Sequence, residues 1–284
     1  MVIKYKMIFM RPKKSLGQNF LKSEKALGDI VRAGGLSAGD TVLEIGPGKG
    51  ALTEKILETG AKVIAVEKDS ELIPVLSEKF AQYIKSSSLV LVQEDILEFD
   101  PLSYKPARTT DRSGRLKPGS YKLIGNIPYY ITGAIIRKFL ESDYQPSSMT
   151  LLVQKEVAER IVARDGKESI LSISVKAFGE PKIIAKVPKR YFTPEPKVDS
   201  AVIHISDISN KKLGNIETKN FFRVVKAGFA HKRKVLAGNL ADLSISKEQI
   251  LAIFHKLGID AKARAEDLSL SEWISIVETL ESEV

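Results

Sequence analysis

Two short stretches of this chain hold residue types whose spacing can do chemistry: Glu44-Ile45-Gly46-Pro47-Gly48-Lys49-Gly50 and Asn126-Ile127-Pro128-Tyr129-Tyr130. The first is a glycine turn between an apolar run and a helical pattern. Backbone can approach a ligand closely there because no side chain intervenes. About 20 residues further on, Glu67 ends the next apolar run, where a carboxylate can accept hydrogen bonds from both hydroxyls of a ribose. Asp95 follows the third run and can accept a hydrogen bond from an adenine amino group. With Ala51 the turn also satisfies a loose G-x-G-x-x-A fingerprint, so a nicotinamide dinucleotide enzyme competes at this point.

The second stretch suits an exocyclic amine on a nucleobase. Such a nitrogen is a poor nucleophile, since its lone pair is delocalised into the ring. The Asn126 side-chain carbonyl and the Ile127 backbone carbonyl can accept its two N–H bonds, drawing it toward tetrahedral geometry. Pro128 holds the chain extended directly afterwards, and Tyr129 can stack on the base. This is orientation and electrostatic preorganisation, with no need for a strong general base. Together the two stretches point to methyl transfer from an adenosine-bearing sulfonium onto a base.

The surrounding pattern predicts elements able to position them. From about residue 41 to 205, short apolar runs alternate with helical periodicity, as in a parallel α/β sheet. Strands are expected at 41–45, 62–66, 89–93, 122–125 and 149–154, with helices over 50–59 and 71–84 and an antiparallel pair at 183–187 and 201–205. Gly46, Glu67, Asp95 and Asn126 would then converge outside the carboxyl ends of the strands. The segment 100–121, with its prolines and glycines, reads as a mobile surface loop. Residues 206–215 read as a boundary, giving a catalytic domain over 1–210 and a helical domain over 211–284, with helices near 221–229, 234–243, 247–257 and 269–280. Gly258 is placed to cap the third of these, and Ser269 with Glu272 has capping-box spacing at the fourth.

Composition narrows the function classes. The chain has 284 residues, 43% hydrophobic and 28% charged, as expected of a globular protein with a sizeable core. Cysteine is absent, which excludes disulfides, cysteine-ligated zinc and iron–sulfur clusters and is compatible with a reducing cytoplasm. His204, His231 and His255 are too scattered to suggest a metal site. No apolar run reaches the ~18 residues of a membrane span, and the opening ten residues lack the pattern of a signal peptide. The net charge of +9 favours polyanionic partners, nucleic acid first. Its carriers cluster at Arg11, Lys13 and Lys14, at Lys186, Lys189, Arg190 and Lys197, and at His231-Lys232-Arg233-Lys234.

Taken in order, Gln18-Asn19-Phe20-Leu21, the glycine turn, Glu67, Asp95, the Asn126–Tyr130 stretch, Phe192-Thr193-Pro194-Glu195-Pro196-Lys197-Val198-Asp199-Ser200 and Phe229-Ala230-His231-Lys232-Arg233-Lys234 resemble the KsgA (RsmA) small-subunit rRNA adenine dimethyltransferases. The resemblance runs from Arg11 over nearly the whole chain. It implies a Rossmann-like S-adenosylmethionine-dependent methyltransferase fold with a small all-helical C-terminal domain. It implies as substrate two adjacent adenines in the 3′-terminal hairpin loop of 16S rRNA, within an assembling 30S subunit, each dimethylated at N6. By the same resemblance Asn19 and Leu21 contact the cofactor, Gly46 its methionine part, Glu67 its ribose and Asp95 its adenine. Asn126 serves both cofactor and target amine, Tyr129 stacks on the target, and Phe192 is a candidate for its opposite face. Lys189, Arg190, Lys197, His231, Lys232, Arg233 and Lys234 would hold flanking phosphates. A monomer is expected, with no metal and no membrane partner. The loop at 100–121 is longer than the resemblance leads one to expect, and the first ten residues have no counterpart in it.

Three rivals differ in testable ways. An Erm-type 23S rRNA adenine methylase is disfavoured by the 229–234 segment and by Arg264-Ala265-Glu266-Asp267-Leu268. A nonenzymatic ribosome assembly factor is disfavoured by the complete set of cofactor residues. The nicotinamide enzyme leaves the Asn126–Tyr130 stretch and the basic clusters unexplained.

Overall fold

The computed structural model describes residues 12–101 and 118–282; the first ten residues and most of the segment 100–121 lie outside that description. Short apolar runs rich in Val, Ile and Leu form β2 (Thr41–Ile45), β3 (Lys62–Glu67), β4 (Leu89–Gln93), β5 (Lys122–Asn126) and β6 (Ser148–Gln154). A two-residue strand, β1 (Phe20–Leu21), precedes them, and β7 (Glu180–Val187), β8 (Phe192–Thr193) and β9 (Ser200–Ser206) follow. The main sheet has seven strands in the order β4-β3-β2-β5-β6-β9-β7. Strands β4 to β6 of that order run parallel, and β9 and β7 add antiparallel. Residues of β2 and β6 are buried almost throughout, as a sheet covered on both faces requires.

The chain lays down β3 and β4 on one side of β2, then crosses to place β5 on the other. That reversal opens a crevice at the carboxyl ends of β2 and β5, where ligands of doubly wound sheets bind. Helix α1 (Glu24–Gly34), which the sequence pattern did not bring out, is capped by Ser23, whose Oγ accepts from the Ala26 N–H at 3.3 Å. It buries Ala26, Leu27 and Ile30 in the same core as Leu21, Val42, Leu152 and Val202. Helix α2 (Ala51–Leu57) follows the glycine turn. The helix expected over 71–84 is split into α3 (Leu72–Lys79) and α4 (Ala81–Lys85), with Phe80 out of helical geometry between them. Pro74 sits in the first turn of α3, where its missing N–H leaves no bond unmade.

The chain forms two compact units, and their boundary differs from a single cut at 210. One holds the residues up to Ala158 together with Glu180–Ile208, and includes the whole sheet; the other holds Glu159–Gly179 and the chain from Ser209 onward. The excursion 159–179 is explained by its apolar residues. Helix α5 (Ile170–Lys176) buries Ile173 and Val175, and the Phe178 ring lies 5.9 Å from that of Phe222 on α6 (Thr218–Gly228). The helical unit continues through α7 (Leu236–Leu240), α8 (Lys247–Leu257) and α9 (Leu270–Ser282). Gly258 caps α8 at φ 69°, and Ser269 and Glu272 exchange the two bonds of a capping box before α9.

Phe229 stacks on Trp273 at 5.6 Å, and Trp273 is fully buried. A Cβ added at Gly228 would lie 2.3 Å from the Trp273 ring and 2.8 Å from Leu236. Gly228→Ala gains helix propensity of at most about 1 kcal/mol, but less at a final helical residue, while forcing an overpacked ring costs about 1–3 kcal/mol. Net destabilisation is expected. The fluorescence of Trp273, the single tryptophan of the chain, should report it as a lower urea midpoint; a midpoint at or above the parental value would refute the packing argument.

Candidate active site

At the carboxyl end of β2 the chain turns through Gly46 and Gly48, both left-handed at φ 63° and 58°. The Gly46 N–H donates to the Val66 carbonyl at 2.9 Å, which holds the turn against β3. A side chain at Gly46 would meet nothing nearer than the Asn126 carbonyl oxygen, 4.0 Å away. At Gly48 it would strike the Phe20 ring at 3.1 Å. Gly46 thus keeps open the wall of a cavity of about 750 Å³, whose lining includes Asn19, Leu21, Glu67, Asp95, Asn126 and Tyr129.

Glu67 ends β3 and is 6% exposed. Its Oε2 accepts from the Gly48 N–H at 3.0 Å and its Oε1 from the Asp69 N–H at 2.8 Å. Each oxygen keeps a lone pair for a ligand hydroxyl. Burial pushes this carboxyl above its ordinary pKa, and the backbone N–H groups of Asp69, Gly48 and Lys68 offset only part of the shift. Asp95 lies after β4, where its Oδ1 accepts from the Leu97 N–H at 3.0 Å and its Oδ2 pairs with Lys68 at 2.6 Å. The Lys68 ammonium holds Asp95 below the usual carboxylate range, so it stays ionised. Two carboxylates and an unobstructed glycine wall fit a cationic, adenosine-bearing ligand.

Asn126 closes β5. Its Nδ2 donates to the Asn19 backbone carbonyl at 2.9 Å, which leaves Oδ1 as the acceptor end of the amide. Ile127 is buried and lines the cavity with Pro128. Tyr129 is half-buried, and its hydroxyl lies 2.6 Å from the Ser200 Oγ at the start of β9, which anchors the tip of the side chain.

The segment 12–21 crosses this site as a strap, and its fastenings were not evident in the sequence. Lys13 Nζ donates to Asp69 Oδ1 at 2.7 Å, and Gln18 Nε2 donates to Asp69 Oδ2 at 2.8 Å. Burial would raise the Asp69 pKa, but the bonds from Lys13, Gln18 and the Glu71 N–H outweigh it and the carboxylate stays ionised. Asp69 also touches Glu67 through its own N–H, so the strap and the carboxylate at the end of β3 share one network. Farther along, β1 pairs with β8, Phe20 opposite Thr193 and Leu21 opposite Phe192.

That pairing corrects one expectation. Phe192 is 2% exposed and belongs to the core beside Leu21 and Val187. Its neighbour Thr193 lines the cavity, and Phe192 does not. As the strand alternates, the ring points inward and offers no face to a target base. The basic residues are exposed where the sequence suggested: Lys189 and Arg190 on a 3₁₀ turn (Lys189–Tyr191), Lys197 in the loop before β9, and His231–Lys234 in the turn between α6 and α7 of the helical unit. Among the described residues no group of acidic and histidine side chains could hold a metal ion, and no helix is long and apolar enough to cross a membrane.

The family described as ribosomal RNA adenine dimethylase matches residues 10–282 of this chain. Ribosomal RNA small subunit methyltransferase A of Dehalococcoides mccartyi (strain CBDB1) is 42% identical over 265 residues, 93% of this chain and 87% of that protein. Among solved structures, the 23S rRNA methyltransferase ErmE superposes with a TM-score of 0.71 at 25% identity, covering 93% of this chain and all of that one. A dimethyladenosine transferase from Plasmodium falciparum gives 0.77 at 23% identity, covering 93% and 98%, and speaks for the fold alone.

One buried acid beneath the site makes stability depend on pH. Glu44 of β2 is fully buried, and the Thr53 hydroxyl approaches its carboxyl without reaching full hydrogen-bond geometry. Burial pushes its pKa up to about 8; the Thr53 hydroxyl alongside offsets this only in part. The folded protein therefore holds a proton here that the unfolded chain releases near the ordinary carboxylate range. The stability this proton confers is complete below that range and is lost as pH rises to about 8. Glu44→Gln should flatten the decline of the unfolding free energy, read from urea titrations between pH 5 and 8, by up to about 1.4 kcal/mol per pH unit. An equally steep decline in the variant would show that Glu44 does not carry the proton.

Proposed function

This chain belongs to the ribosomal RNA adenine dimethylase family, and we propose that it transfers methyl groups from S-adenosylmethionine to N6 of two adjacent adenines in the 3′-terminal hairpin loop of 16S rRNA. The observation that carries this reading is the Asn126 amide. It stands at the switch point of the sheet, its donor end spent on Asn19 and its acceptor end left for an amine, on the wall of a cavity that also holds Glu67 and Asp95. The name of the D. mccartyi relative supports the small-subunit substrate over the 23S alternative.

S-adenosylmethionine, when bound, supplies an electrophilic methyl group on a cationic sulfur. The chain's own residues hold and aim. Glu67 accepts the ribose hydroxyls, Asp95 accepts an adenine N–H beside its Lys68 partner, and Asn19, Leu21 and Gly46 bound the remaining wall. The target adenine leaves its loop for the pocket, which costs less than leaving a duplex. Asn126 Oδ1 and the Ile127 carbonyl take its two N–H bonds and turn the nitrogen lone pair toward the methyl carbon, while Pro128 keeps the two carbonyls apart on an extended chain. Tyr129, its hydroxyl anchored by Ser200, stacks on the base. The proton released by the amine passes to water, and the pocket admits an amine already carrying one methyl. Lys189, Arg190, Lys197 and His231–Lys234 hold flanking phosphates, a contribution that weakens with salt. The protein works as a cytoplasmic monomer on the assembling 30S subunit.

Primer extension across 16S rRNA tests the assignment. Incubating unmethylated small subunits with protein and cofactor should create a stop at the paired adenines; labelling of protein-free 23S rRNA alone would reverse the choice of substrate. Asn126→Ala should lower the transfer rate at least about tenfold, roughly 1.4 kcal/mol of barrier, and a parental rate would discredit the amine clamp. Glu67→Ala should chiefly raise the cofactor dissociation constant measured by calorimetry. Unchanged affinity would take that residue out of the site.

A further inference from the structure

Tyr130 follows the ring assigned to the target base, yet its surroundings are opposite. Tyr129 and Tyr130 share a 3₁₀ turn (Tyr129–Ile131), in which successive side chains diverge by about 120°. Tyr129 therefore points inward to Ser200, while Tyr130 is 65% exposed, the largest exposure among the bulky apolar side chains of the described residues. Scattered exposed aromatics are ordinary on protein surfaces. This one is placed otherwise, because it also lines the cavity, together with Lys68 and Leu16.

Its ring is also supported. A Cβ added at Gly17 would lie 3.1 Å from Tyr130 Cε1 and 3.3 Å from Cδ1, so the backbone of the strap passes directly against one edge of the ring. Gly17 itself sits at φ 62°, a conformation that further favours glycine. Lys68 lines the same cavity, its ammonium held by Asp95 at 2.6 Å. An exposed aromatic ring steadied along one edge, at the mouth of a pocket that a lysine also lines, is what unpaired nucleic acid stacks on.

We propose that Tyr130 is a stacking platform for the base that flanks the target adenine in the unpaired RNA loop. The inference rests on the RNA-methylating reading above and adds a second base site to it. One tyrosine would hold the nucleotide inside the pocket, and the next would catch its neighbour outside. The loop is then gripped on two consecutive bases, and specificity for an unpaired dinucleotide follows. A duplex cannot present both faces at once.

The test is steady-state kinetics on unmethylated small subunits with Tyr130→Ala and Tyr130→Phe. The alanine variant should raise KM for the particle about tenfold with a smaller fall in kcat, and its calorimetric affinity for S-adenosylmethionine should stay within about twofold of the parent. The phenylalanine variant, which keeps the ring, should restore KM. A second measurement uses a synthetic hairpin RNA carrying 2-aminopurine beside the target adenine. Its fluorescence should be quenched on binding the parent protein and less so with Tyr130→Ala. Parental KM in the alanine variant, or equal quenching, overturns the platform; a phenylalanine variant as impaired as alanine does so too, since it would assign the hydroxyl in place of the ring. Failure of the parent protein itself to methylate small subunits would instead sink the function on which the inference stands.

Discussion

A single hydrogen bond, from the Asn126 side-chain amide to the Asn19 backbone carbonyl, sets the chemistry of this site. A primary amide has a donor end and an acceptor end, and fixing one commits the other. The strap that supplies the Asn19 carbonyl is fastened to the sheet by Asp69, the residue whose N–H steadies Glu67. The orientation of the Asn126 amide and the setting of Glu67 therefore depend on the same ten-residue passage of chain. Each of these bonds contributes only about 1 kcal/mol net, somewhat more where a charge takes part. Their effect on function comes from direction. Lost docking of the strap would free the amide to rotate, at little cost to the stability of the sheet.

The acids around the cavity divide by what surrounds them. Asp69 and Asp95 have cationic partners and remain ionised, whereas Glu67 and Glu44 form no ion pair among the described residues and are pushed toward the neutral form by burial. A cationic ligand arriving at Glu67 would favour its charged form, so ligand binding and ionisation reinforce each other. Glu44, one layer deeper and without such a visitor, serves the core more than the ligand.

Much of the catalytic half was legible because a buried parallel strand is a short, nearly continuous apolar run, and because polar residues standing at the ends of such runs have little structural reason to be there. Glu67, Asp95 and Asn126 were singled out that way, and all three line one cavity. What escaped was anything decided by side chains meeting from distant sequence. Asp69 is just another acid until Lys13 and Gln18 fold over it. Ser200 gains its meaning only when β9 brings it to Tyr129, and Phe192 looked available until its pairing with Leu21 turned it inward. The two tyrosines of the Asn126–Tyr130 stretch are equivalent as letters. A tight turn makes one internal and one external.

The excursion of residues 159–179 out of the sheet-bearing unit has a genealogical consequence. The chain passes between its two units three times, at 158, 179 and 208, so the helical unit is assembled from two separated pieces of sequence. Phe178 on the earlier piece needs Phe222 on the later one. Trading the tail for another by a lone crossover near 208 would strand an apolar insert with no counterpart. Lineages that diversify this enzyme must therefore remodel both pieces in concert, and a new tail has to arrive with its own matching insert.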